Sequence, residues 1–341
     1  MPKRKIFCFV LSVFLALAGA SKAAASRGET PRRVLTISGQ NAEHLVTEES
    51  LRNQVEFMSA KECEGRATGS QGSTLAGWWI GRQFLLAGLT PLNDSYFHGF
   101  LTEGGAKGEN ISGLLPAGSP SGRYIIVAAH YDHIGTLGGN LYPGADCNAS
   151  GVAALVSIAG MLRHMADIGK SYGKGVIFVA LDGKERNLAG SRELLRLLRE
   201  GGLTDPCTGK PIGLGDIDLM VNLDQIGSSL APVDPSRKDY LIMLAEGSAA
   251  SGRDLLLREN RDRGIGLDLH FTYYGSREFT NIFYRRISDQ APFLGAGVPS
   301  VMFTSGITLR NNKPSDSPST LDYPVFRRRV LLIFHYLNKS L

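Results

Sequence analysis

The sequence predicts an α/β fold in three layers, with helices on both faces of a mixed, mostly parallel sheet. Continuous apolar runs, typical of strands buried on both faces, occur at 124–129 and 176–181, and a mostly apolar run predicts a further strand at 298–303. Stretches with helical spacing of apolar residues lie between these runs, and such alternation predicts a mostly parallel sheet covered by helices. The hydrophobic share of 43% and the charged share of 20% are ordinary for a soluble globular domain.

Each element has its own signal in the chain. Helices are predicted where apolar residues recur every three or four positions, and buried strands where they run without interruption. Gly88 ends the second helix, and the polar, glycine-rich stretch 92–112 is expected to hold a short edge strand. The predicted helices are 48–58, 74–87, 150–166, 191–199, 249–262, 288–295 and 324–337, and the predicted strands are 123–130, 176–181, 217–223, 240–244 and 298–303.

The first 25 residues have the pattern of a secretory signal peptide. A basic start at 3–5 precedes the apolar stretch 6–18, which is too short to span a membrane comfortably, and small residues follow up to Ala25. We therefore expect a secreted or periplasmic protein with no retained membrane anchor. Residues 26–45 are expected to form a flexible N-terminal segment, and residues 46–341 a single domain.

Net charge and cysteine count both change when the leader is removed. Residues 1–25 hold four basic residues and no acids, so the net charge of +5 falls to about +1 and gives no argument for nucleic-acid binding. Cys63, Cys147 and Cys207 remain after Cys8 is lost. This odd count leaves at least one thiol free or paired with another molecule, and one internal bridge is possible.

Polar side chains follow three of the predicted strands. His130 and Asp132 come at the end of the first, Glu185 follows the second, and Asp224 follows the third. Ligands of parallel α/β sheets bind beyond the carboxyl ends of the strands, so we expect these residues to share one site. Histidine and carboxylate ligands are typical of zinc, and the pattern therefore indicates a metal site.

Several ordered motifs resemble those of the secreted co-catalytic zinc aminopeptidases. This family includes bacterial leucyl aminopeptidase and is related to glutamate carboxypeptidase and glutaminyl cyclase. The resemblance covers nearly everything after the leader and implies a zinc-exopeptidase-like fold. The motifs are at 64–70, 88–91, 130–132, 144–151, 182–185, 189–191, 222–224, 288–290 and 314–316.

In this family five side chains hold two zinc ions, and the resemblance implies three retained ligands here. His130 and Asp224 match ligands of one zinc, and Glu185 matches a ligand of the other. Asp132 matches the carboxylate that orients the histidine by contacting the ring nitrogen that does not bind the metal.

Three functional positions of the family are substituted. The bridging carboxylate falls on Cys147, the last histidine ligand falls on Asn312, and the general base falls on Lys184. Asp146, beside the bridging position, is expected to point elsewhere. A lysine has a reference pKa of about 10.4 and is a poor general base at neutral pH.

The substitutions are compatible with one zinc or with none. A Cys147 thiolate could complete a zinc site with His130 and Asp224, because sulfur binds zinc well, or Cys147 could be an inert buried thiol. In the metal-free interpretation the Lys184 ammonium replaces the metal charge and pairs with Glu185 or Asp224. His133 is expected to be a neighbour in the loop rather than a ligand.

The sequence thus predicts a degenerate zinc aminopeptidase-like protein, inactive or impaired as a peptidase, that binds a peptide or peptide-like ligand. One alternative is an active mono-zinc aminopeptidase that releases N-terminal residues. The other is a glutaminyl-cyclase-like transferase. Whether the chain is an enzyme, and its oligomeric state, stay open at this point. The basic run 327–329 on the last helix is expected to be a solvated face.

Overall fold

The structure, a computed structural model, describes residues 38–341, so the predicted signal peptide lies outside the described residues. The strands are β1 (Thr90–Pro91), β2 (Phe97–Leu101), β3 (Lys107–Leu115), β4 (Tyr124–His130), β5 (Gly135–Leu137), β6 (Asn140–Tyr142), β7 (Gly175–Leu181), β8 (Leu203–Thr204), β9 (Pro211–Ile212), β10 (Ile217–Leu223), β11 (Tyr240–Ala245), β12 (Asp268–His270) and β13 (Ser300–Thr304). The helices are α1 (Glu48–Met58), α2 (Gln71–Leu86), α3 (Gly151–Asp167), α4 (Ala189–Glu200), α5 (Gly252–Asp262), α6 (Arg277–Arg285), α7 (Ala291–Gly295) and α8 (Tyr323–Ser340).

A mixed sheet of nine strands forms the middle layer, in the order β1-β3-β7-β4-β10-β13-β11-β12, with β2 also paired to β3. The central strands β7, β4, β10 and β13 are parallel. Antiparallel pairs flank them, β3 with β7 on one side and β11 with β13 on the other. The predicted fold class is confirmed, and the parallel centre brings the carboxyl ends of β7, β4 and β10 to one edge.

The two faces of the sheet bury different helices. Alternate residues of a strand point to opposite faces, so on β4 Val127 packs into the larger cluster with α1, α2, α3, α5 and α8. Ile126 faces the other way, into the cluster that includes residues of α4 and α7. Among the described residues, the helical stretch Ala145–Asp167 is long and apolar enough to cross a membrane by length and composition. Within its most apolar 18 residues 94% are buried here, and it is the core helix of the fold.

Near the start of the chain, one stretch differs from the expectation and another agrees with it. Gly39–Leu45, predicted to belong to the flexible segment, forms a 3-10 helix in which Ala42 is fully buried. The stretch 92–112 contains β2, which pairs only with β3 among the described residues and is the short edge strand that the sequence predicts. The first part of β3 also lies in this stretch and is not predicted, because polar residues such as Asn110 interrupt its apolar pattern; Asn110 is buried and donates to the carbonyl of Gly190 at 2.8 Å.

The expected solvated face at 327–329 is wrong for Arg329. Its guanidinium is fully buried and donates to the carbonyls of Tyr240 (2.6 Å), Ser228 (2.8 Å) and Ile226 (3.0 Å). These carbonyls belong to β11 and to the loop after β10, so the side chain ties α8 to the sheet. Burying a charge is unfavourable unless it is hydrogen-bonded, and here the backbone supplies the acceptors.

Candidate functional site

The residues expected to share a site do meet at one edge of the sheet. His130 ends β4, Asp224 follows β10, and Lys184 and Glu185 follow β7. His130 Nε2 lies 3.4 Å from Asp224 Oδ1. Lys184 Nζ lies 3.6 Å from Glu185 Oε1 and 3.9 Å from Asp224 Oδ2.

His130 is fully buried between two carboxylates. Its Nδ1 donates to the backbone carbonyl of Asp132 at 3.1 Å and lies 3.6 Å from the Oδ1 atom of that residue. Burial and the nearby Lys184 lower the pKa of His130, but Asp132 and Asp224 outweigh them and hold it well above the ordinary value. The two carboxylates therefore favour the protonated ring, and Nε2 lies on the side of Asp224.

Asp132 does more than orient His130. Its Oδ1 accepts from the backbone N–H of Lys184, and its Oδ2 from that of Glu185, both at 3.0 Å. The carboxylate after β4 therefore fixes the turn after β7. The resemblance implied only the contact with histidine, and these backbone contacts carry no sequence signal of their own.

Lys184 is held in the interior of the site. Its side chain is 14% exposed, against 5% for Asp224 and 30% for Glu185. Burial lowers the pKa of Lys184, yet the attraction of Asp224, Cys147 and Glu185 outweighs this effect and raises the pKa above its ordinary value. The ammonium stays charged at neutral pH.

Asp316 fixes the backbone of the turn that carries Cys147. Its carboxylate accepts from the N–H of Asp146 at 2.9 Å and from that of Cys147 at 3.0 Å. The Asp146 side chain turns away, as expected, and accepts from the N–H groups of Gly227 (2.9 Å) and Ser228 (3.1 Å). Burial and the charge of Asp316 raise the pKa of Asp146 to about 7.

A buried arginine of the 64–70 motif positions the neighbouring loops. Arg66 is fully buried and donates to the carbonyls of Tyr131 (2.7 Å), Pro143 (2.8 Å) and Gly144 (2.9 Å). Its own carbonyl accepts from the N–H of His133 at 3.1 Å. The loop after β4 and the turn before α3 are therefore tied to one side chain.

His133 lies inside the site rather than beside it. Its side chain is 1% exposed, and neither ring nitrogen has a hydrogen-bond partner among residues 38–341. A ring nitrogen of His133, the Cys147 sulfur and a Glu185 oxygen lie within 4.8 Å of one another. Burial and Arg66 lower the pKa of His133 to about 3, so the imidazole is neutral.

The two remaining predicted positions, Cys147 and Asn312, differ in burial. Cys147 is fully buried, and all three cysteines of the described chain, Cys63, Cys147 and Cys207, are free. Asn312, the position of the last family ligand, is exposed on its loop with φ at +56°. His130, Cys147 and Asp224, the set considered for a single zinc, do not form a group within 4.8 Å among the described residues.

Three solved structures illustrate the proteins that share this fold. A structure of LapA from Legionella pneumophila is 16% identical, with a TM-score of 0.66, and the match covers 94% of this chain and 80% of LapA. The glutaminyl cyclase of Macrostomum lignano is 18% identical, with a TM-score of 0.67 and coverage of 93% and 96%. BSAP, a zinc aminopeptidase from Bacillus subtilis, is 13% identical, with a TM-score of 0.62 and coverage of 86% and 95%.

At these identities the similarity establishes the fold alone. A comparison with curated proteins found no match. The sequence of residues 110–337 matches Peptidase family M28, and this range is about two thirds of the chain. The match contains β4, β7 and β10 together with every residue of the site described above except Arg66. The chain therefore belongs to peptidase family M28.

Proposed function

We propose that this protein is an M28 aminopeptidase-like protein that has lost the two-zinc chemistry and is inactive or severely impaired as a peptidase. The observation that supports the proposal best is the position of the Lys184 ammonium. It lies within 4 Å of both Glu185 and Asp224, the acidic ligands that the family pattern retains. A cation of the chain thus takes the place where family members concentrate metal charge.

Zinc is the metal to expect in this family, so the residues present must be tested against a pair of zinc ions. The bridging position offers one sulfur in place of a two-oxygen carboxylate, and the Asn312 position offers an exposed amide. Three good protein ligands are typical of each catalytic zinc. These residues do not fit two zinc ions, and two divalent ions beside an ammonium would also leave an excess of positive charge.

The proton-transfer step of hydrolysis is also affected. A general base must accept a proton from water near neutral pH, and its pKa should lie near the working pH. Lys184 stands at that position with a raised pKa, so its ammonium has no free electron pair to accept the proton. Water activation by this residue is therefore not expected.

We further propose that the site still binds a peptide or peptide-like ligand. Glu185 is the more exposed of the two acidic groups, and it is the carboxylate that an incoming amino terminus would meet first. The predicted signal peptide would place this binding function in the periplasm or outside the cell.

The test is a comparison of the chain with a restored variant. Purified protein supplied with zinc is assayed for bound metal and for hydrolysis of chromogenic aminoacyl substrates, beside Cys147→Asp/Lys184→Glu/Asn312→His. The double variant Cys147→Asp/Asn312→His is the matched control, because it supplies both ligands and keeps the ammonium.

We expect no turnover from the unaltered chain, two zinc ions in the triple variant, and fewer than two in the double variant. Turnover of the unaltered chain comparable to that of the triple variant would refute the proposal. Two tightly bound zinc ions in the unaltered chain would refute it as well, whatever substrates are in the panel.

A further inference from the structure

We propose that His133, Cys147 and Glu185 form a binding site for one thiophilic divalent metal ion, in which His133 joins two of the five family positions, Cys147 and Glu185. This site goes beyond the proposed function, because a single ion held here requires neither the general base nor the bridging carboxylate. Zinc and cadmium have the required preference for a mixed nitrogen, sulfur and oxygen donor set.

His133 provides the strongest observation. A buried polar group normally has a hydrogen-bond partner, yet both ring nitrogens of His133 lack one among the described residues at 1% exposure. The N–H bond to the Arg66 carbonyl holds the backbone of His133 in place. A neutral imidazole that is buried and unpartnered, with a thiol and a carboxylate nearby, is suited to coordinate a metal.

The other two donors differ in how freely their side chains can move. Cys147 is fully buried, with its backbone fixed by Asp316, so the sulfur has little room to move. Glu185 is 30% exposed at its side chain; Asp132 anchors its backbone, and its carboxylate lies 3.6 Å from the Lys184 ammonium. The carboxylate can therefore move to close the site, and its exposed side offers an entry path for the ion.

The distances are compatible with tetrahedral coordination after a small adjustment. Bond lengths of about 2.3 Å to sulfur and about 2.0–2.1 Å to nitrogen and oxygen place tetrahedral ligand atoms roughly 3.3–3.6 Å apart. The three ligand atoms lie within 4.8 Å of one another, so contraction of at most about 1.5 Å is needed. Three protein ligands leave the fourth position for water or a bound ligand.

Charge balance favours one ion. When bound to the metal, the Cys147 thiolate and the Glu185 carboxylate supply two negative charges, which neutralise one divalent ion. The Lys184 ammonium beside them is balanced by Asp224. A second divalent ion would add two positive charges that the three donors do not balance.

The test uses cobalt(II) and cadmium(II) added to the chelator-treated, dialysed protein. Binding at Cys147 gives a thiolate-to-metal charge-transfer band in the ultraviolet, and we expect it to saturate at one metal per chain. His133→Asn and Glu185→Gln should weaken binding at least tenfold, because even partners behind a metal ligand contribute 10–100-fold. Cys147→Ser should remove the band.

Matched controls distinguish this site from binding at the family ligand Asp224 or at another cysteine. Cys63→Ser and Cys207→Ser should keep the band, and Asp224→Asn should keep it with a smaller loss of affinity than His133→Asn or Glu185→Gln, because it removes a nearby charge but no ligand atom. Glu185→Gln alters a partly exposed side chain and keeps the test valid if His133→Asn fails to fold. The inference is overturned if the unaltered protein shows no band at millimolar metal, or if Asp224→Asn removes the band and Glu185→Gln retains it. These readouts do not involve hydrolysis, so they can fail while the proposed loss of peptidase activity stands.

Discussion

Replacing Lys184 with methionine tests the internal cation directly. The change keeps an unbranched side chain of similar length and removes the charge from between Glu185 and Asp224. Two unit charges about 4 Å apart attract by roughly 4 kcal/mol at an effective dielectric constant of about 20. Two such pairs would sum to about 8 kcal/mol before the unfavourable desolvation of the ammonium is subtracted.

The net effect is smaller than this gross attraction. Removing one partner of a buried ion pair typically destabilises a protein by about 3–5 kcal/mol, because the remaining charge is left uncompensated. Glu185 is partly exposed, and the His130 ring also contacts Asp224, so both features reduce the loss. We expect Lys184→Met to lower the free energy of unfolding by about 3 kcal/mol, at the lower end of that range.

Urea denaturation in the presence of chelator measures this loss without a contribution from metal. The matched control is Lys61→Met, since Lys61 also pairs with a glutamate at 3.9 Å but is 85% exposed. Exposed pairs contribute about 0–1 kcal/mol. A loss for Lys184→Met no larger than that for Lys61→Met, with unchanged m-value, would show that the ammonium does not balance the two carboxylates.

Three further predictions concern the zinc affinity, the pH dependence of stability and the buried Arg329. Lys184→Met should raise zinc affinity at least tenfold, because a like charge beside the ion is removed; competition with a chromophoric chelator measures this, and an unchanged affinity would contradict it. Asp146 has a raised pKa of about 7, so in chelator the protein's free energy of unfolding should fall as pH rises from 5 to 8, by about 2.5 kcal/mol. Asp146→Asn should flatten that fall in urea denaturation across this pH range, and parallel pH curves would refute it. Arg329→Met leaves three buried carbonyls without a donor and should destabilise by about 3 kcal/mol, whereas the exposed Arg196→Met should change stability by less than about 1 kcal/mol.

The fold was predictable because its signals are local. The apolar runs that form β4 and β7 are continuous, and the predicted bounds of β4, β7 and β10 agree with the structure within one residue at each end. The grouping of His130, Glu185 and Asp224 followed from a general property of parallel sheets rather than from any single residue. The same reasoning brought Lys184 near the two carboxylates.

What could not be predicted depends on partners distant in sequence. His133 is buried because Arg66, 67 residues earlier, is hydrogen-bonded to the loop after β4, at Tyr131 and His133. Arg66 also donates to Gly144 in the turn before α3. Arg329 is buried because its acceptors come from a loop about 100 residues earlier. A histidine in a loop and an arginine in a basic run look exposed in the sequence, and only the tertiary contacts reverse that expectation.

The hydrogen bonds from the backbone of residues 146 and 147 to Asp316 have a consequence for substitutions at position 147. The turn is held through its N–H groups, so its path does not depend on which side chain stands at position 147. A carboxylate, a thiol or another small side chain can be exchanged there without refolding the loop. A single substitution at position 147 can therefore change the metal preference of the turn while its backbone keeps the same path.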